Sequence, residues 1–455
     1  MIDKRGLQRR DARNRYGGEL PSTFEGPGFA SLAAQVHETM DAMAGLFPDS
    51  LGLYVSIPFC RSKCTYCNFA SGVHPASEHS RYVDQLIDEM HEAGDWAKGL
   101  GLELVRRIDT IYLGGGTPSL LEPELIARLF GAIRAQFAVD GDAEITVECA
   151  PGQLSEETLG ALVAAGVNRV SLGVQSFVDR EAKSSGRLHS RTRVLDDLRR
   201  LREAGVGRIN VDLIAGLAGQ TLATWEESIS VLIDCGVPHA SIYMLEVDED
   251  SRLGREMLAG GARYFAELVP SDDTIAGMYE SAIERLDAVG LKQYEISNFA
   301  RPGSESRHNL RYWQRRSYLG IGLDASSMLR EKGQEADASG KPYVLRSTNT
   351  DDLKRYLDGD FGRGTAWLSP ERQHEEAWFL GLRMNAGVEP QSLRSEFGDP
   401  LVERALESAA RLADDGLLLR NGETIRMTAK GRLLSNDVFQ EFLENSLQEY
   451  SATGR

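Results

Sequence analysis

Between Leu51 and Val247 the chain alternates short apolar, β-rich runs with helical patterns, and this alternation restricts the fold more than any other feature. The runs are LYVSIP, IDTIYLGG, AEITVEC, NRVSLGVQSF, RINVDLIAGL and HASIYMLEV. Stretches such as RYVDQLIDEMHEAGDWA and PELIARLFGAIRAQF space apolar residues by three and four, which predicts amphipathic helices. SEETLGALVAAG is another, with Ser155 at its N-cap. Thr158 stands where a full capping box would carry Glu or Gln. Six strands joined by helices pair in parallel through right-handed crossovers. Several runs end in glycine or polar groups (GGGTP, ECAPG, VQSF, DLIAGL), and barrels place functional groups at the C-terminal ends of their strands. Periodicity alone leaves a doubly wound sheet open beside a whole or partial barrel; the strand ends favour the barrel, and the expected fold is α/β, a partial (β/α)6, TIM-like barrel over residues 51–330.

Flanking segments read differently. Residues 1–50 form a polar N-terminal extension with one short helix expected near Leu32–Leu46. Residues 331–368 are polar and irregular, a linker or excursion. Residues 369–455 predict a small helical domain, with a hairpin in LLLRNGETIRMT turning at Asn421-Gly422. Three helices and a hairpin suggest a winged-helix-like domain. The segment is not basic, so it reads as a packing element or a substrate lid.

The formal charge is -17 over 455 residues, which repels nucleic acid and anionic lipid. No apolar run reaches the roughly 20 residues a membrane helix needs. The start, MIDKRGLQRRDARNRYGG, lacks the apolar core of a secretory signal. Asp3, Asp11 and Glu19 speak against a transit peptide, so a cytoplasmic protein is expected. Five cysteines in a chain this long are not a disulfide framework. Cys149 and Cys235 stand alone and read as small buried side chains.

The other three, Cys60, Cys64 and Cys67, crowd into YVSIPFCRSKCTYCNF with spacing C-x3-C-x2-C. Structural zinc would need four closed ligands, and the nearest further donor is His74. A cubane cluster has four irons, normally all held by thiolates. Three cysteines leave one iron open to a ligand.

C-x3-C-x2-C with an aromatic residue, Tyr66, before its last cysteine resembles the radical S-adenosylmethionine superfamily. That resemblance implies a [4Fe–4S] cluster on Cys60, Cys64 and Cys67, with S-adenosylmethionine on the open iron. One electron from the cluster then cleaves the sulfonium to a 5′-deoxyadenosyl radical. It also implies that Gly115, Gly116 and Thr117 of GGGTP contact the methionine amino group. Glu148, Gln175, Arg187 and Asp212 match positions around the cofactor's carboxylate, ribose and adenine, and Tyr54 matches on the entering strand. An electron donor of the flavodoxin or ferredoxin type follows.

Together YVSIPFC, GGGTPS, GVQSF and NVDLIAGL resemble the oxygen-independent coproporphyrinogen III oxidases and their relatives (the HemN/HemW group). In the decarboxylating oxidases the cluster motif continues to a fourth cysteine, where this chain has Phe69. Heme chaperones of the HemW type carry Phe there and an H-N-x-x-Y-W motif, matched by His308-Asn309-Leu310-Arg311-Tyr312-Trp313. Imidazole can ligate heme iron, and Tyr and Trp offer flat faces to a porphyrin. From the residues alone, His308 could equally cap a helix while Tyr312 and Trp313 pack a core. The chaperone resemblance implies heme on His308, Asn309, Tyr312 and Trp313 and delivery to respiratory acceptor proteins at the membrane, and it leaves a homodimer open. Two departures stand out. Relatives carry His at the position of Ser56, and Gly-Pro-Gly-Ala-His-Ser where this chain reads GLDASS. A decarboxylating oxidase, or another HemN-like radical enzyme such as a methyltransferase, therefore stays open as an alternative.

Overall fold

The computed structural model describes residues 50–330 and 344–443. The N-terminal extension and its expected helix lie outside these residues. The six expected strands are present: β1 (Leu51–Ile57), β2 (Arg107–Gly115), β3 (Ala138–Cys149), β4 (Arg169–Gln175), β5 (Arg208–Ala215) and β6 (His239–Met244). They pair in sequence order and in parallel. Helices cross over between them, as at Ser77–Gly99, Pro123–Gln136, Arg191–Glu203 and Leu222–Cys235. Ser155 caps the helix Glu156–Ala164, accepting from the Thr158 amide.

The sheet then grows at both edges. A hairpin of β7 (Lys292–Glu295) and β8 (Asn298–Ala300) lies antiparallel to β6. On the other side β9 (Tyr318–Ile321) pairs parallel to β1. Antiparallel strands β10 (Ser326–Arg330), β11 (Val344–Thr348) and β12 (Gly364–Leu368) complete twelve strands. The stretch read as a linker or excursion therefore contributes β11 and β12 to the main sheet.

Period-two alternation gives the six parallel strands two unlike faces. Leu53, Val55, Ile111, Leu113, Ile145, Val147, Val170, Leu172, Val211 and Leu213 point outward into one apolar core with the helices. At the positions between them stand Tyr54, Ser56, Thr110, Tyr112, Glu144, Glu148, Ser171, Asn210, Asp212, His239 and Ser241. The outer face supplies the hydrophobic stabilisation, and the inner face is left for polar chemistry.

The C-terminal region has a core of its own around Trp378, Leu382, Leu393, Val402, Leu412, Ile425 and Val438. It comprises helices Pro370–Arg383, Pro390–Phe397, Asp399–Asp414, Ala429–Leu433 and Ser435–Leu443 with a hairpin, β13 (Leu418–Asn421) and β14 (Thr424–Met427). Asn421 pairs with Thr424, so the loop residues are Gly422 and Glu423, one position later than expected. Gly422 takes the positive φ of 62° that such a turn requires. Cys149 ends β3 and Cys235 ends its helix, both buried as expected.

Candidate functional site

The cysteine loop leaves the C-terminal end of β1 and folds back on itself. The Cys60 amide donates to the Gly72 carbonyl (2.8 Å) and the Gly72 amide to Pro58 (2.9 Å). Lys63 Nζ reaches the carbonyls of Phe69 (3.0 Å) and Ser71 (2.9 Å), spanning the loop from inside. Neighbouring loops hold it from outside. The Thr65 amide donates to Ser185 (3.0 Å), Ser62 Oγ donates to Gly186 (2.9 Å), and the Leu253 amide donates to Thr65 (2.8 Å). Gly186 has φ +90°, and a Cβ there would lie 3.2 Å from Cys64 Cα, so glycine permits this approach.

The thiols suit iron. Cys60 and Cys67 are partly exposed, and Cys64 is buried behind them. Burial first, and then the other thiols of the trio, push the Cys60 and Cys67 thiols up. Ligation by iron removes those protons, so metal binding and deprotonation are coupled. Hydrogen-bond donors face the sulfurs: Thr117 Oγ1 lies 3.9 Å from Cys60 Sγ and Arg187 Nη1 3.5 Å from Cys64 Sγ. Arg187 also donates to the Gly173 carbonyl. A guanidinium beside thiolates lowers the cost of clustering their negative charge.

GGGTP packs beside this loop. A Cβ on Gly116 would fall 2.7 Å from the Phe59 carbonyl, and one on Gly115 2.8 Å from Ser56 Oγ. Bare backbone is therefore required where β2 meets the cysteine loop, and the Gly116 and Thr117 amides donate to Ile57 and Phe59 (both 2.8 Å). Glu148 lies behind the glycines and accepts from Tyr112 (2.8 Å). Its carboxyl is pushed up to about 7, chiefly by burial, with Asp212 adding to the shift. Asp212 accepts from Ser171 (2.9 Å) and Asn210 (2.7 Å), and burial raises it too. Tyr54 stacks on Tyr112 with centroids 6.1 Å apart. Gln175 ends β4 with φ 69°, rare for a residue with a side chain. Its Oε1 is buried without a partner among the described residues. Such an orphan at a strand end is what a ligand-contacting amide looks like before its ligand arrives. Of the residues expected around S-adenosylmethionine, Gly115, Gly116, Thr117, Glu148, Gln175 and Arg187 stand at or just past strand ends, Tyr66 lies in the cysteine loop beside Cys64 and Arg187, and Tyr54 and Asp212 stand three residues inside their strands. Their chemistry fits a zwitterionic, hydroxyl-bearing cofactor beside three thiols.

HNLRYW has a different setting. It forms the helix Arg307–Trp313. His308 is 0% exposed, with Nδ1 2.9 Å from Thr110 Oγ1 and Nε2 2.8 Å from the Tyr312 hydroxyl. Burial holds its imidazole neutral, and in this arrangement neither nitrogen is free for iron. Arg311 pairs with buried Asp109 and donates to the carbonyls of Ser50 (3.2 Å) and Ser317 (2.9 Å). A Cβ on Gly52 would lie 2.4 Å from Arg311 Cδ, so that glycine makes room for the arginine. Tyr312 packs on Tyr318 (4.5 Å), and Arg383 lies 4.3 Å over the Trp313 ring. Asn309, Tyr312 and Trp313 are partly exposed, and Trp313 Nε1 is buried without a partner among the described residues. Asn309 faces the barrel interior. It lines a polar cavity of about 50 Å³ with Tyr112, Thr146, Glu148, Arg169 and Asp212 among others.

Residues 54–232 match the radical SAM superfamily, and residues 368–434 match the HemN C-terminal domain. Heme chaperone HemW of Lactococcus lactis is 34% identical over 86% of this chain and 96% of its own length. The chain belongs to the HemW family of radical SAM proteins. The HemW of Bacillus subtilis is 35% identical, covering 86% of this chain and 98% of that protein. Among solved structures, coproporphyrinogen III oxidase (HemN) from Escherichia coli superposes with a TM-score of 0.72 at 23% identity, covering 89% of this chain and 93% of that one. At that identity the likeness establishes the fold, the partial barrel expected from the strand alternation.

Reading the HemW-family strands simply as apolar passes over half of the barrel interior. Tyr112, Ser171, Asn210, His239 and Ser241 join Asp212 and Glu148 in that interior, through bonds such as Asn210 Nδ2 to Ser171 Oγ (2.7 Å) and His239 Nδ1 to Asn210 Oδ1 (2.6 Å). Their signal was available: a polar residue at every second position of an otherwise apolar run.

Proposed function

We propose that this protein carries a [4Fe–4S] cluster and S-adenosylmethionine at the open end of its barrel, and that it binds heme and passes it to acceptor proteins. The observation that carries this reading is the match to heme chaperones over almost their entire length, in a chain with Phe69 at the position of the oxidases' fourth cysteine. Cys60, Cys64 and Cys67 would hold three irons. Gly115, Gly116 and Thr117 would receive the amino acid part of the cofactor, Arg187 and Gln175 its carboxylate side, and Glu148 and Asp212 its hydroxyls. Bound together, cluster and S-adenosylmethionine supply one-electron reductive chemistry. The chain's own residues orient the cofactor, offer Glu148 and Asp212 as buried carboxyls whose proton affinity is raised by burial, and bury Cys64.

Heme-accepting partner proteins follow from a chaperone role, and an electron donor of the flavodoxin or ferredoxin class follows wherever the cofactor is cleaved. No helix among the described residues is long and apolar enough to cross a membrane. We place the protein in the cytoplasm, meeting its acceptors at the membrane surface as a monomer or homodimer.

The test is anaerobic. Reconstituted protein is divided between hemin and coproporphyrinogen III with S-adenosylmethionine and reductant. Stoichiometric hemin binding without decarboxylation is the expected result. Protoporphyrinogen formed over several turnovers would make the protein an oxidase.

A further inference from the structure

The barrel's open end is apolar where it meets solvent. Seven large apolar side chains among the described residues are between 46% and 65% exposed: Phe69, Val73, Leu188, Leu222, Leu258, Phe265 and Leu268. Every one lies in a connection that follows the C-terminal end of a parallel strand, or at the start of the helix that ends it. Phe69 and Val73 follow β1, Leu188 follows β4, Leu222 follows β5, and the other three follow β6. These connections are bonded into one surface around the thiols. The Thr65 amide donates to Ser185, the Leu253 amide to Thr65, and the Gly219 amide to Leu268, at 2.8–3.0 Å. Asn68 Nδ2 donates to Asp248 (2.8 Å). Soluble proteins rarely gather exposed apolar side chains on one face without a ligand to cover them.

Two further observations mark the β6 connection. Tyr264 and Phe265 both adopt left-handed backbone, with φ of 60° and 58°, and neither is glycine. Bulky residues avoid this region, yet here it leaves the Phe265 ring at the surface. Arg252, 5.4 Å over the Tyr264 ring, has a buried Nε with no partner among the described residues, and no carboxylate is paired with its guanidinium there. An apolar rim with an unneutralised arginine suits a flat hydrophobic molecule with a carboxylate at its edge.

We propose that this rim, and not the HNLRYW helix, is where the heme macrocycle seats, its ring against Leu188 and Phe265 and a propionate toward Arg252. The proposal rests on the heme reading above. It places the cargo over the cysteine loop, where cluster assembly and S-adenosylmethionine binding change the surface that receives it. The HNLRYW helix cannot offer this: His308 is fully buried and both its nitrogens are hydrogen-bonded.

The experiment titrates hemin into reconstituted full-length protein and compares wild type with the double variant Leu188→Gln, Phe265→Ser. Both positions are more than half exposed, so folding is retained, which cluster content and thermal melting verify. The Leu195→Gln variant, on the helix Arg191–Glu203 away from the rim, is the control. Hemin affinity should fall about tenfold or more in the double variant, because two apolar contacts are lost. It should stay unchanged in the control, and iron and sulfide content should match in all three. Equal affinity in wild type and double variant would overturn the proposal while leaving the heme reading intact. Unchanged hemin affinity with slower reduction by flavodoxin would also overturn it, making the rim a protein-docking face. No hemin binding by the wild type would defeat the heme reading itself, and the seat with it.

Discussion

Cys60, Cys64 and Cys67 stand in a loop at the open end of the barrel, held by backbone bonds to three neighbouring connections, with two of the sulfurs reachable from solvent. His308 and Arg311 stand buried on the helix Arg307–Trp313 with partly exposed Tyr312, each polar side-chain atom of the three but Arg311 Nε already bonded to the protein. Both segments bear side chains able to ligate metal. The difference lies in what already satisfies them. Buried groups that are fully partnered stabilise a fold, and partly exposed groups with spare coordination capacity are free to do chemistry. A motif's residue types are thus compatible with either role, and solvent access with hydrogen-bond accounting decides between them.

The largest expected effect tests the first half of that comparison. Cys64→Ala should abolish the broad iron–sulfur absorbance, and unchanged iron and sulfide content would remove the thiols from the functional side.

The next two test the other half. Arg311→Met should cost about 3–5 kcal/mol, toward the lower end because Arg316 still reaches Asp109 at 3.1 Å. Chemical denaturation measures it, and a change below about 1 kcal/mol would show that the ion pair is not structural. His308→Ala should cost about 2–4 kcal/mol by stranding Thr110 and Tyr312, while folded protein keeps its cluster and its hemin stoichiometry. Lost hemin binding with unchanged stability would break the comparison and return the helix to a ligand role.

The smallest effect sharpens it. The Glu148 carboxyl rises from 4.5 to about 7 through burial. An acid raised on folding binds its proton more tightly folded than unfolded, so its stability contribution is lost as pH climbs from about 4.5 through 7. Glu148→Gln should flatten that loss in the ligand-free protein. The variant should gain on the order of 1–2 kcal/mol over wild type at pH 8 and little at pH 5. Thermal melts across this range decide it, and parallel pH profiles would show that Glu148 is already ionised.

Leu222–Cys235 and its sister helices, the six parallel strands and the cysteine loop were legible because each is written in adjacent residues. A helix announces itself by spacing of three and four, a buried strand by a short apolar run, and a three-thiol site by cysteines within eight positions. GGGTP was legible for the same reason, since its glycines relieve close approaches at one turn. The polar lumen was half legible: Glu148, Gln175 and Arg187 stand at or past strand ends and Asp212 is marked by the NVDLIAGL resemblance, but Tyr112 and Asn210, inside their strands, and His239, at the start of β6, belong to runs whose apolar residues dominate the pattern.

What the sequence determined by itself was therefore the local grammar: element types, their order, the parallel pairing that such alternation forces, and the thiol spacing that suits a cluster with one open iron. Only the tertiary structure decided the rest. It set His308 against Thr110, 198 positions away, joined β9 to β1, added β11 and β12 from a stretch that reads as irregular, and left seven apolar side chains in four separate connections exposed. The physical reason is that periodicity records how a residue relates to its own turn or pleat, whereas burial and hydrogen-bond satisfaction depend on partners that only chain folding brings within reach.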